Sequence, residues 1–220
     1  MRALAGLSAA DNYIPFDMEG ILSRACKGRP REFDVDEALA AALRVFWSKG
    51  YEGTSLTDLT DAMGITRPSL YAAFGNKEAL FRKALDLYER EKLSYIGEAL
   101  AAPTSRGVAE RLLQGALDMQ TSECEPRGCL RVISSVSCGA EAESVRADLI
   151  ARRASSQAAL IERMERAKAE GDLPPHTDVH GITNYLLAIL QGMSVQAGSG
   201  ASKAELAEVV RTSLAMWPGK

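Results

Sequence analysis

Apolar residues recur along this chain at helical spacing, and no stretch shows the strict alternation of a half-buried strand. Val35, Ala38, Leu39, Ala42, Leu43 and Phe46 follow the i, i+3, i+4, i+7, i+8, i+11 pattern, which predicts an amphipathic helix capped by Asp34 and closed by Gly50. Trp47 and Tyr51 are expected to join its small core. Leu56, Leu59, Ala62 and Met63 predict a second, shorter helix. Thr54 or Ser55 can cap it, and Asp58 stands three residues after Ser55 in a capping-box arrangement. Gly64 ends it, because glycine takes the left-handed conformation a tight turn needs. Ile65 fills the corner, Thr66 caps a third helix, and Pro68 sits in its first turn. Leu70 and Phe74 face inward, Gly75 stops the helix, and Asn76 caps the next.

The rest of the chain reads as helices over 77–101, 105–122, 128–138, 143–170, 178–197 and 203–216. Pro103, Gly171 with Pro174 and Pro175, and the run Gly198-Ser199-Gly200 separate them. The expected fold is all-α with about nine helices: an N-terminal three-helix helix-turn-helix unit and a C-terminal helical domain. The expected division is 1–26 as a disordered or extended N-terminus, 27–76 as the helix-turn-helix domain and 77–220 as the C-terminal helical domain. Met18 is an alternative start to Met1, which would make residues 1–17 an extension or a disordered tail.

Two short helices joined by a tight turn suit the reading of DNA. A helix entering the major groove reads base edges near its N-terminus and holds phosphates with its flanks. Arg67 can pair with guanine in bidentate fashion, and Ser69 can donate or accept. Tyr71, Lys77 and the N–H groups near Thr54 and Ser55 suit phosphate. The basic run Lys27-Gly28-Arg29-Pro30-Arg31 can follow a phosphate backbone or enter a minor groove; the alternative is a solvated tail. An ordinary helical corner is the alternative for the motif as a whole.

Charge sharpens this picture. The chain carries a net charge of −3, with an isoelectric point near 5.6, unlike a broadly basic nucleic-acid binder. From Lys27 to Lys77, seven basic residues meet seven acidic ones. Residues 66–77, however, hold Arg67 and Lys77 and no acid, so the expected positive surface is focused. Non-specific affinity should then be modest and strongly salt-dependent.

Thr54-Ser55, Met63-Gly64-Ile65-Thr66, Tyr71-x-x-Phe74 and Asn76-Lys77-Glu78-x-Leu80 together resemble the signature of TetR/AcrR-family transcriptional repressors, over roughly residues 33–80. The resemblance implies phosphate contacts at Thr54, Ser55, Tyr71 and Lys77. It places Thr66, Arg67, Pro68 and Ser69 toward the bases. Ala73 departs from it, because the family often has histidine there. The runs Arg127-Gly128-Cys129-Leu130 and Ala169-Glu170-Gly171-Asp172-Leu173-Pro174 also look like the family's ligand domain.

The last two predicted helices are apolar on many sides. Ile182, Tyr185, Leu186, Ile189, Leu190, Met193 and Val195 coat one; Leu206, Val209, Val210, Leu214 and Trp217 line the other. Such helices lie in a core or in an interface. The family's usual four-helix dimer interface, and the two-fold symmetry of palindromic operators, favour a homodimer through them. A small-molecule effector of unknown identity would bind within about residues 85–195 and favour a dimer geometry that no longer fits DNA.

Cys124, Cys129 and Cys138 cluster in sequence, while Cys26 lies in the arm. Cys129 falls near a predicted helix N-terminus beside Arg127 and Arg131, features that stabilise a thiolate. Some TetR-like regulators sense electrophiles or oxidants through cysteine in a similar context, so these three are candidate sensing residues. The commoner alternative is free cysteine as a small buried apolar residue. His176 and His180 lack the spacing of an established metal site, and no metal or cofactor is expected. No P-loop, dinucleotide fingerprint or HExxH motif is present, so no enzymatic activity is expected. With no apolar run near the ~18 residues that span a membrane and no secretory leader pattern, the expected location is the cytoplasm. The alternative function is a DNA-bound adaptor of the same fold that recruits a protein and needs no small-molecule effector.

Overall fold

The computed structural model describes residues 33–137 and 142–219. Among them ten helices form and no strand does. In chain order they are α1 (Val35–Lys49), α2 (Leu56–Met63), α3 (Arg67–Phe74), α4 (Lys77–Lys92), α5 (Tyr95–Leu100), α6 (Ser105–Gln120), α7 (Leu130–Ser137), α8 (Glu143–Ala169), α9 (Val179–Gly198) and α10 (Lys203–Ala215). No helix of the described residues is long and apolar enough to cross a membrane.

The local signals act where expected. The Asp34 carboxylate accepts the N–H groups of Asp36 and Glu37 at 2.8 and 3.1 Å and starts α1. Asn76 caps α4 through the Ala79 N–H at 2.8 Å. A reciprocal capping box of Ser202 and Glu205 starts α10, a signal the sequence analysis did not use.

Buried apolar side chains form two clusters. The first joins α1 to α4 with Cys129, Leu130 and the start of α8. Its centre is aromatic: Phe46 meets Phe81 edge-on at 5.1 Å, and Trp47 meets Tyr88 at 4.9 Å. The second cluster joins α5, α6, the end of α8, α9 and α10. Trp217, after α10, donates from Nε1 to Ser105 Oγ at 3.2 Å and closes that cluster over the start of α6.

The helix expected over 77–101 is two helices, which makes ten rather than about nine. Leu93 ends α4 with φ −107° and ψ 10°. Its side chain lies in the first cluster, whereas Ala99 of α5 lies in the second. The break lets the chain pass from one core to the other. Gly115 of α6 receives the turned chain: a Cβ there would overlap the Tyr95 ring. No glycine or proline marks the break, because its cause is packing between distant segments.

Candidate nucleic-acid interface

The α2–turn–α3 segment is built by short-range bonds. Ser55 Oγ accepts the Asp58 N–H at 3.0 Å, and the Asp58 carboxylate accepts the Ser55 N–H at 2.9 Å. Gly64 takes the left-handed conformation, φ 64° and ψ 28°, and turns the chain. Thr66 Oγ1 accepts the Ser69 N–H at 3.4 Å and lies 3.0 Å from the Ser69 hydroxyl. Leu70 and Phe74 anchor α3 in the first cluster, and Ile65 packs against its edge.

Those anchors leave one face of α3 to solvent. Thr66, Arg67, Pro68 and Tyr71 are exposed, and Ser69 is half-buried beside them. Tyr71 is 49% exposed, large for an aromatic ring. Arg67 is exposed, but its guanidinium donates to Thr57 Oγ1 of α2 at 2.9 Å. The base-reading candidate is thus held across the motif by a residue the sequence analysis did not single out. Finding Thr57 required knowing how α2 and α3 cross.

The flanking groups divide. Ser55 stands exposed at the start of α2. Lys77 is half-buried, with its ammonium 4.5 Å from the centre of the Tyr51 ring. Thr54 is turned inward: it is 1% exposed and its hydroxyl donates to the Gly50 carbonyl at 2.7 Å. Its side chain is committed to the fold, so an outside contact at this position falls to main-chain groups. Lys27, Arg29 and Arg31 of the basic arm lie outside the described residues.

One of the two acids of α2 is paired. Lys49 Nζ lies 2.6 Å from Asp58 Oδ1. That bond, with those from Ser55, holds the Asp58 carboxyl far below the usual carboxylate range. Asp61, the other acid of α2, stands exposed, so α2 still sets one carboxylate near the positive stretch from Arg67 to Lys77.

A second constellation joins the motif's scaffold to the rest of the chain. Trp47 of α1 donates from Nε1 to the Gly128 carbonyl at 3.1 Å. Gly128 has φ +84°, and its N–H donates to the Gln120 carbonyl at 3.2 Å. Cys129 follows, 9% exposed, with its N–H on Ser194 Oγ of α9 at 2.8 Å. Arg44 Nη2 and Lys92 Nζ meet Glu125 at 3.5 and 2.8 Å from the other side. The segment from Glu125 to Leu130 thus touches α1, α4, α6 and α9.

Cys129 precedes α7, as expected, but the arginines beside it in sequence are engaged elsewhere. Arg127 donates to the Ala201 carbonyl, and Arg131 faces Glu89 at 3.6 Å and Ser156 at 3.4 Å. The group at the sulfur is Tyr88, whose hydroxyl donates to Sγ at 3.2 Å. Burial first, then the Cys129 sulfur, pushes the Tyr88 phenol well above its ordinary value, so it remains a proton donor. Cys124 is exposed and Cys138 lies outside the described residues, so the three cysteines are not seen as one cluster. Cys129 also lines a cavity of about 380 Å³ between the α4–α5 break, α6, α7, α8 and α9. His176 precedes α9 and His180 lies in its first turn; both are exposed.

Comparison with known proteins agrees with this geometry. Residues 38–84 match the bacterial regulatory proteins of the tetR family, and residues 109–213 match the tetracyclin repressor-like C-terminal domain. The HTH-type transcriptional repressor ComR of Escherichia coli strain K12 is 36% identical over 195 residues, covering 87% of this chain and 92% of ComR. A cysteine mutant of the TetR-family regulator CifR, solved in complex with 26-bp double-strand operator DNA, is 44% identical with a TM-score of 0.82. That match covers 87% of this chain and 100% of CifR. A TetR regulator of Rhodococcus sp. RHA1 is 38% identical with a TM-score of 0.59, over 83% of this chain and 98% of the other. With α2, the Gly64 turn and α3 in place and relatives aligned over nearly their whole length, this chain belongs to the TetR family of transcriptional regulators and is not an enzyme.

Proposed function

We propose that this chain is a repressor that binds a palindromic operator as a homodimer in the cytoplasm and leaves it when an effector binds. The observation that carries the reading is the exposed face of α3: Thr66, Arg67, Pro68 and Tyr71 stand outside the core on a stretch to Lys77 without an acid. Arg67 and Ser69 read base edges in the major groove, and Ser55, Tyr71, Lys77 and main-chain groups near Thr54 hold phosphates. Lys27, Arg29 and Arg31 add backbone contacts from the arm. On this reading residues 27–76 serve DNA and residues 77–220 serve the effector and the dimer.

The homodimer reading is supported by apolar side chains left outside the core on α9 and just beyond α10. Tyr185 is 37% exposed, Val195 55% and Met216 68%. The cavity beside Cys129 favours a small-molecule effector over the adaptor alternative, which needs no cavity. Cys129 is the proposed point of attack for an electrophile. Its thiolate would form a bond to the electrophilic carbon, with the displaced electrons taken up on the electrophile and protonated by water. The bond from Tyr88 supports the thiolate.

The test is fluorescence anisotropy with DNA from the promoter next to this gene. Sequence-specific, salt-dependent binding by a dimer is expected. Equal affinity for operator and scrambled DNA would refute the recognition role. Unchanged operator affinity after saturating treatment with an electrophile would remove Cys129 from the mechanism while leaving the repressor reading intact.

A further inference from the structure

The cavity beside Cys129 has many apolar side chains in its wall, Met119 and Leu190 among them, and its polar side chains include three that carry a charge or a buried, unpartnered atom and that the DNA-binding role does not use. The first is Gln120, 3% exposed at the end of α6. Its Nε2 faces the Leu190 carbonyl at 3.5 Å, which fixes the amide so that Oε1 is the atom left over. Oε1 is buried and has no hydrogen-bond partner. A buried amide carbonyl without a donor carries a desolvation cost that a ligand's O–H or N–H would relieve.

The second and third features are Arg131 and Arg153. Both line the cavity, and no aspartate or glutamate lines it among the described residues. Arg131 is partly compensated by Glu89, 3.6 Å from one Nη. Arg153 is exposed. The wall therefore favours an anion over a cation. The volume, about 380 Å³, suits a molecule of about 10–15 non-hydrogen atoms.

We infer that this cavity binds a small, largely apolar carboxylate carrying a hydroxyl, with the hydroxyl donating to Gln120 Oε1 and the carboxylate held by Arg131 and Arg153. The inference rests on the effector reading above and adds the chemical class of the effector. Occupancy would also be felt at the motif's scaffold. The Gln120 carbonyl accepts the Gly128 N–H, and the Gly128 carbonyl accepts Trp47 of α1.

The test is calorimetric titration of the full-length protein with three matched probes: 4-hydroxycinnamate, cinnamate and methyl 4-hydroxycinnamate. 4-Hydroxycinnamate should bind about three- to ten-fold more tightly than cinnamate, the range of one hydrogen bond to a buried acceptor. The preference should vanish in Gln120→Leu and in the more conservative Gln120→Met, each checked by thermal unfolding. The acid should also bind more tightly than its methyl ester, and Arg153→Ala should reduce that preference. Equal affinities for the hydroxylated and unhydroxylated acids would overturn the inference, as would a preference that survives in a folded Gln120 variant or no binding by any probe. Operator binding by the ligand-free protein is measured alongside. An intact operator complex with no probe preference defeats this inference alone, whereas loss of specific operator binding defeats the repressor reading.

Discussion

Gly128→Ala is the most informative single substitution, because two separable costs meet at this residue. The first is conformational. Gly128 has φ +84°, and an L-residue forced into left-handed space loses about 1–2 kcal/mol. Gly64, with φ +64°, would bear the same cost, yet a Cβ there meets nothing within 4 Å. A Cβ at Gly128 would lie 3.0 Å from the Ser194 carbonyl oxygen, a main-chain atom of α9 that cannot rotate away. The loop must shift instead. The Trp47 bond to the Gly128 carbonyl and the Cys129 N–H bond to Ser194 Oγ, now 3.1 and 2.8 Å, must lengthen with it. Weakening one or both adds about 1–2 kcal/mol. Gly128→Ala should therefore cost about 2–4 kcal/mol and Gly64→Ala about 1–2 kcal/mol. Urea unfolding of both variants at one protein concentration measures the difference, read from the midpoint at unchanged slope. If Gly128→Ala costs no more than Gly64→Ala within about 0.5 kcal/mol, the Ser194 contact does not constrain this loop, and its role as the junction of α1, α6 and α9 is refuted.

Four further outcomes are expected. Arg67→Ala should relax base preference and cost about 1–3 kcal/mol of specific binding, whereas Tyr71→Phe should weaken all sequences alike; parallel losses on operator and random DNA for Arg67→Ala would reverse these assignments. Ser55→Ala removes the α2 capping box and should cost about 0.5–2 kcal/mol in thermal or urea unfolding. The Asp58 carboxyl titrates far below its ordinary 3.8 in the folded protein, so its contribution is complete above that value and is lost as pH falls, because the unfolded chain takes the proton first. Stabilities of the protein and Asp58→Asn should differ by a constant amount above about pH 4 and draw together progressively as pH falls below it. Tyr88→Phe removes the hydroxyl at Cys129 Sγ and should slow alkylation of that thiol by iodoacetamide, scored by mass spectrometry of the proteolytic peptide that carries Cys129; an unchanged rate would show that Tyr88 does not support the thiolate.

The DNA-reading motif was legible because its instructions are local. Ser55 speaks to Asp58, Thr66 to Ser69 and Asn76 to Ala79, each three residues apart, and Gly64 needs no partner to turn the chain. Helical periodicity then placed Leu70 and Phe74 inward and Tyr71 outward. The same logic placed most helix ends to within a residue or two.

What the sequence left open concerns groups far apart in the chain. Thr54 could as well have faced out; packing of the α1–α2 corner turned its hydroxyl onto Gly50. Arg67 finds Thr57 only because of the angle at which α3 crosses α2. The arginines flanking Cys129 suggested a charged thiolate environment, but Tyr88, 41 residues away, is the group that reaches the sulfur. The break at Leu93, the bond from Trp47 to Gly128 81 residues on, and the unpartnered Gln120 side-chain Oε1 likewise arise where two cores meet. Caps, turns and apolar faces are settled by neighbours within a few residues, so they can be read along the chain. Contacts across helices depend on how those faces pack, and that is decided only when the whole chain has folded.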